Sequence, residues 1–169
     1  ISNCEKAGVL GVELRTTHRH GVETSLTADE REEVKARFDD SPVVFVGPGS
    51  NEKFDDPEPA RLRASIEATK AIVQLSHDCG GSGVKVKPNS LPKGVPVSKT
   101  CEQIGKALNE VGKYAADFKQ EIRVEVHGRE TKRPDRMRTI MDHANHDNAY
   151  VCWNSDFGEV EDGSIQNNF

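Results

Sequence analysis

Ile122-Arg123-Val124-Glu125-Val126-His127-Gly128 reads as a strand with one apolar and one charged face. Successive strand residues point to opposite sides. Ile122, Val124 and Val126 therefore share one face, and Arg123, Glu125 and His127 the other. Two earlier stretches repeat the pattern. Gly11-Val12-Glu13-Leu14-Arg15 sets Val12 and Leu14 against Glu13 and Arg15, and Gly83-Val84-Lys85-Val86-Lys87 sets Val84 and Val86 against Lys85 and Lys87. Strands of a buried parallel sheet usually read as unbroken apolar runs. Charges on one of their faces are costly unless they pair, bind a metal or line a solvated site. Three such strands point to a polar, ligand-holding interior.

Helical signals lie between the strands. Thr27-Ala28-Asp29-Glu30 is a capping-box pattern, and the helix it opens carries Val34 and Phe38 and ends before Pro42. Val43–Val46 is a further strand, with Gly47-Pro48-Gly49-Ser50 read as the loop after it. Asp56-Pro57 is expected to cap a helix bearing Leu62, Ile66, Thr69 and Val73. Ser98 is expected to cap a longer one with Ile104, Leu108, Val111, Ala115 and Phe118. Pro134–Ala144 is a shorter helix, and Tyr150–Trp153 is the fifth strand. Ile1–Gly8 reads as a helix end closed by Gly8.

This alternation means a parallel sheet flanked by helices. It fits an open doubly wound sheet or a closed (β/α)8 barrel. A nucleotide-binding doubly wound sheet should carry a complete glycine-rich turn between strand and helix. Gly47 and Gly49 lack the third glycine, and Gly80, Gly81 and Gly83 precede a strand. The polar residues fit the barrel better, because Arg15, Lys87, His127 and Asn154 all stand at C-terminal strand ends, where barrels place their chemistry.

Composition narrows the partners. The 169 residues are 30% charged with a net charge of -5, which argues against a nucleic-acid surface. No apolar run approaches a membrane span. The cysteines, at 4, 79, 101 and 152, form no C-x-x-C pair, so free thiols in a reducing, cytoplasmic setting are expected. Position 1 is Ile rather than Met, so the chain is read as a fragment or processed product.

Gly11–His18, Gly83–Asn89, Val124–Gly128 and Val151–Ser155 together resemble the sugar phosphate isomerase/epimerase family, whose members have a xylose isomerase-like TIM barrel. The resemblance implies that residues 1–169 form one partial TIM-barrel domain holding about strands 2 to 6. It implies a metal-dependent sugar or sugar-phosphate isomerase or epimerase that moves a proton next to a carbonyl. The cofactor would be a divalent metal (Mn2+, Mg2+, Co2+ or Zn2+). In the family a carboxylate after strand five, an acidic group after strand six, a histidine and a final glutamate hold it. Glu125 matches the first and Asn154 takes the second place, where Asp is more usual; the last two would lie beyond Phe169. An amide brings no charge and lowers cation affinity.

Glu125 and His127 are the expected catalytic groups, with substrate contacts from Glu13, Arg15, His18, Lys87 and Asn89. The plainer reading of Glu125 is a barrel-floor ion pair, and that of Arg15, His18 and His20 a solvated basic loop. Lys85 is expected to pair with Glu13 or Glu125, and Arg123 to neutralise the same carboxylates. Trp153 is expected to pack with Val151 beneath the helices. The competing functions are a non-catalytic carbohydrate-binding fragment and an endonuclease-like phosphodiesterase. Open sheet edges also make a homo-oligomer an expectation.

Overall fold

The computed structural model describes residues 1–154, 160 and 162–166. Along the chain come α1 (Ser2–Lys6), β1 (Gly11–Arg15), α2 (Ala28–Asp39), β2 (Val44–Lys53) and α3 (Pro59–Asp78). β3 (Gly83–Lys87), α4 (Val97–Asp117), β4 (Glu121–Glu125), α5 (Pro134–Ala144) and β5 (Ala149–Cys152) follow. The five strands pair in parallel and in chain order, β1-β2-β3-β4-β5. A doubly wound sheet reverses its strand order at a switch point. This sheet winds one way only, as a barrel does, and is a partial barrel.

The apolar parity of the strands builds the core. Val84, Val86, Ile122, Val124 and Val126 pack against Ile66 and Val73 of α3, Ile104, Leu108, Val111 and Ala115 of α4, and Met137 and Ile140 of α5. Thr69 interrupts the α3 stripe without cost, because its buried hydroxyl donates to Ser65 O at 2.8 Å. A smaller cluster of Val22, Phe45, Leu75 and Cys79 holds α2 to the sheet through Val34 and Phe38. α1 ends in a Schellman pair, Val9 N–H to Cys4 O and Gly8 N–H to Glu5 O, with Gly8 at φ +69°.

Some boundaries differ from the sequence reading. Residues 47–50 are not a loop but the middle of β2, which runs to Lys53. Its glycines are there for close approach. A Cβ on Gly47 would stand 1.9 Å from Gly83 O, and one on Gly49 would stand 2.4 Å from Glu13 Oε1. Pro48 is tolerated next to a register shift between Val12 and Glu13. α3 begins at Pro59 with Glu58 as N-cap, since Asp56 Oδ1 is already accepting from Glu58 N–H in a turn upstream. α4 begins at Val97 with Pro96 as N-cap, so Ser98 lies inside its first turn. Val151 and Trp153 are exposed rather than packed beneath helices: Ala149 at the start of β5 reaches the core, but no helix follows β5 among the described residues.

Candidate functional site

The charged parity of the strands converges on the face opposite the helices. Lys85 Nζ lies 2.7 Å from Glu13 Oε1 and 3.9 Å from Glu125 Oε2, so one ammonium joins β1, β3 and β4. Gly49 on the intervening strand leaves the space through which Glu13 reaches it. Burial works against the Lys85 charge, but the hydrogen bond and charge of Glu13, with Glu125 beyond, hold its pKa above the ordinary lysine value. Cys152, opposite Glu125 in the register, faces the same cluster, and burial pushes its thiol up. Asn154 Nδ2 donates to Glu125 Oε1 at 3.3 Å.

Arg123 does not neutralise Glu13 or Glu125. It lies lower, pairing with Glu121 at 2.8 Å and donating to Val46 O and Ser82 Oγ. Glu121 shares its parity and is the nearer acid, and Gly83 beneath it keeps the path open.

Above the cluster, His127 Nδ1 donates to Asn89 Oδ1 at 3.0 Å. Nε2 is the ring nitrogen this bond leaves for other partners. Thr131, fully buried, has its hydroxyl 2.6 Å from Asn89 O and 2.7 Å from His127 O, tying the two strand ends together. A cavity of about 280 Å³ at this end is lined by Val126, His127, Gly128, Arg129, Lys132 and Asn154. A larger groove of about 460 Å³ lies between α3 and α4, in the outer helical layer and away from the strand ends. Arg63–Glu110 and Lys70–Glu110 ion pairs join α3 to α4 beside it, as at a helix interface.

Glu13, Glu125 and Asn154 thus meet, as do His127 and Asn89, and Arg15 and Lys87 both reach Asn51 Oδ1. His18 does not join them: its Nδ1 donates to Thr16 O of its own loop, and the residue is exposed. Asn51 and Thr131 were not among the sequence candidates. The register shift between Val12 and Glu13 breaks the alternation of β2, so parity carried on from Phe45 would put Asn51 on the helix face; nothing in the local sequence marks Asn51 or Thr131.

A divalent cation can be tested against these side chains. Glu125 and Asn154 offer oxygen donors side by side, and no group of three His, Cys, Asp or Glu side chains comes together among the described residues. A catalytic zinc takes three protein ligands. The described residues therefore supply part of a donor set and not a complete one.

Among curated proteins no sequence relative is found. Solved structures resemble the fold at low identity. The 3-keto-D-glucoside 4-epimerase of E. coli aligns at TM-score 0.78 and 12% identity over 99% of this chain and 66% of its own. A D-psicose 3-epimerase solved with D-fructose aligns at TM-score 0.72 and 12% identity, over 88% of this chain and 54% of its own. The IolI protein, solved with a zinc atom, gives TM-score 0.72 and 15% identity over 89% and 54%. The chain thus spans between about half and two thirds of each of these proteins. At such identities the likeness establishes the fold alone. Residues 1–155 match the family described as xylose isomerase-like TIM barrel, and the chain belongs to that family.

Proposed function

We propose that the chain carries part of the active centre of a sugar or sugar-phosphate isomerase or epimerase, working by proton transfer next to a carbonyl. The observation that carries this is the meeting of Glu125, at the end of β4, with Glu13 and Lys85, midway along β1 and β3, and with Asn154 just past β5. Glu125 takes the proton from carbon. Lys85 offsets the negative charge that builds on the substrate, in a setting where fixed charges act strongly. His127, oriented by Asn89, accepts from a substrate hydroxyl through Nε2. Glu13, Arg15, Lys87 and Asn89 face the remainder of the sugar, and His18 would reach it only if its loop rearranged. A divalent metal, where bound, would be held in part by Glu125 and Asn154 and would polarise the substrate oxygens. The epimerases among the structural neighbours, and the zinc atom of the IolI protein, another neighbour, support this reading.

The proposal keeps residues 1–169 as one partial-barrel domain, in a cytoplasmic setting and with a small carbohydrate as ligand. Among the described residues no helix is long and apolar enough to cross a membrane. Exposed Leu10 and Val44 near one end of the sheet, and Tyr150 and Val151 at the other, favour pairing of copies through the edges. Size-exclusion chromatography giving a compact monomer at all concentrations would count against that pairing.

A metal-free carbohydrate-binding role is the second reading. It is favoured by Lys85 standing within 3.9 Å of the Glu125 carboxylate and by the incomplete donor set. One experiment separates the two. Ketoses are incubated with the protein in D2O, with and without Mn2+, and deuterium next to the carbonyl is read by NMR, while sugar binding is read by calorimetry. Incorporation that Glu125→Gln abolishes supports the isomerase or epimerase. Binding without incorporation supports the second reading, and the absence of both overturns both.

A further inference from the structure

Arg15 closes β1, Asn51 lies in the second half of β2, and Lys87 closes β3. Three neighbouring strands thus present their C-terminal ends side by side. Arg15 Nη2 and Lys87 Nζ donate to the same atom, Asn51 Oδ1, at 3.2 and 3.1 Å. Lys53 stands opposite Lys87 in the β2–β3 register. No carboxylate pairs with Arg15, Lys53 or Lys87 among the described residues.

Several other basic groups of this chain do have a carboxylate partner. Arg31 has Asp78, Lys35 has Asp39, Arg63 and Lys70 share Glu110, Lys85 has Glu13 and Arg123 has Glu121. Two cations drawn to one neutral oxygen repel each other, and an amide cancels neither charge. In a molecule of net charge -5 this rim is a local positive site. A guanidinium fork beside an ammonium suits a multi-oxygen anion, the first through paired hydrogen bonds and the second as a point charge.

We infer that Arg15, Asn51 and Lys87 form an anion subsite, which binds the phosphate or carboxylate of a charged sugar whose reacting carbon lies at Glu125. Asn51 is the positioning residue: its amide oxygen gathers the two cations without filling the site. The geometry supports the placement. Asn51 on β2 and Glu125 on β4 are separated by one strand, about 10 Å across the sheet, a length that a five- or six-carbon chain covers. Lys87 and Lys85 share one face of β3, so anion end and reacting end are joined by one strand.

The inference takes the sugar from the proposed function, and its test keeps the two apart. Inorganic phosphate is titrated calorimetrically at low, constant ionic strength, followed by fructose, fructose 6-phosphate and glucuronate. Arg15→Gln and Lys87→Gln are expected to weaken phosphate at least tenfold, while Lys113→Gln, on the exposed surface of α4, leaves it unchanged. Asn51→Asp supplies the missing carboxylate. It should raise the melting temperature and weaken phosphate binding as strongly, which no unfolded variant can imitate. The wild-type preference between fructose 6-phosphate and glucuronate assigns the anion. Phosphate affinity equal across all four variants, or no phosphate binding by the wild type, overturns the subsite even if neutral fructose binds. Phosphate binding that follows the pattern while no sugar binds establishes the subsite and removes the carbohydrate reading.

Discussion

Gly128→Ala should destabilise this chain far more than an ordinary glycine replacement. Gly128 follows His127 with φ +91°, and a Cβ there would stand 1.5 Å from Asn89 O, 2.3 Å from Thr131 Oγ1 and 2.6 Å from the Asn89 carbonyl carbon. Two costs therefore add. Forcing an L side chain to positive φ costs about 1–2 kcal/mol. Pushing a packed backbone carbonyl aside costs a further 1–3 kcal/mol or so, as for overpacked sites. A total near 3 kcal/mol corresponds to a fall in Tm of roughly 6–12 °C for a chain of this size. Gly21→Ala is the internal standard, because Gly21 has φ +81° and nothing within 4 Å of the added carbon. It should show only the backbone cost, roughly 2–8 °C. Scanning calorimetry on both variants and the parent gives the difference directly. Equal shifts in the two variants would refute the argument that the Asn89 carbonyl is held rigidly against Gly128. The displaced Asn89 should also release His127, so the His127 ring resonances should move in Gly128→Ala and stay in place in Gly21→Ala.

Three further outcomes follow from the same geometry. Lys85→Met leaves Glu13 and Glu125 facing one another and should cost about 1–2 kcal/mol at neutral pH, a figure set between exposed and buried pairs. Because the folded pKa of Lys85 is raised, its contribution is complete below about pH 10.4 and lost as pH rises through the folded value, so denaturation curves of parent and variant should converge above that point and not below it. Thr131→Val removes the buried hydroxyl shared by Asn89 O and His127 O and should cost about 1–3 kcal/mol in urea denaturation; a loss under 0.5 kcal/mol would show that those carbonyls are satisfied otherwise. Thiol alkylation at pH 8, followed by mass spectrometry, should label the part-exposed Cys4 first and Cys79 last, since burial pushes the Cys79 thiol up to about 11. Early labelling of Cys79 would contradict its burial.

Much of the fold was readable because it rests on parity and punctuation. Alternation in Ile122–His127 placed three apolar residues in the core and Glu125 and His127 on the polar face, and the Thr27–Glu30 capping box formed as expected. The middle of β2 was lost because glycine and proline usually break strands, whereas here the glycines admit Gly83 and Glu13. That Lys85 pairs with Glu13 or Glu125 was legible from parity, and it meets both. The partner of Arg123 was missed because the competing acid, Glu121, lies two residues back on the same face, where the strand had not been extended. Trp153 looked like core because its parity matched Val151, but parity says which way a side chain points and not whether a helix covers it. Arg15 and Lys87 meeting over Asn51 is a three-strand event, invisible to any local pattern.

The unbroken order of the strands also bears on how the chain is assembled. Each strand pairs with the one made just before it, so no sheet contact waits for a residue more than one βα unit away. The sheet can therefore grow one strand at a time from the ribosome, each completed unit offering its edge to the next. The Lys85 cluster cannot share this schedule. Glu13 and Lys85 can meet once β3 is laid down, but Glu125 joins only with β4 and Asn154 only after β5. The structural frame forms early and the chemistry is completed last.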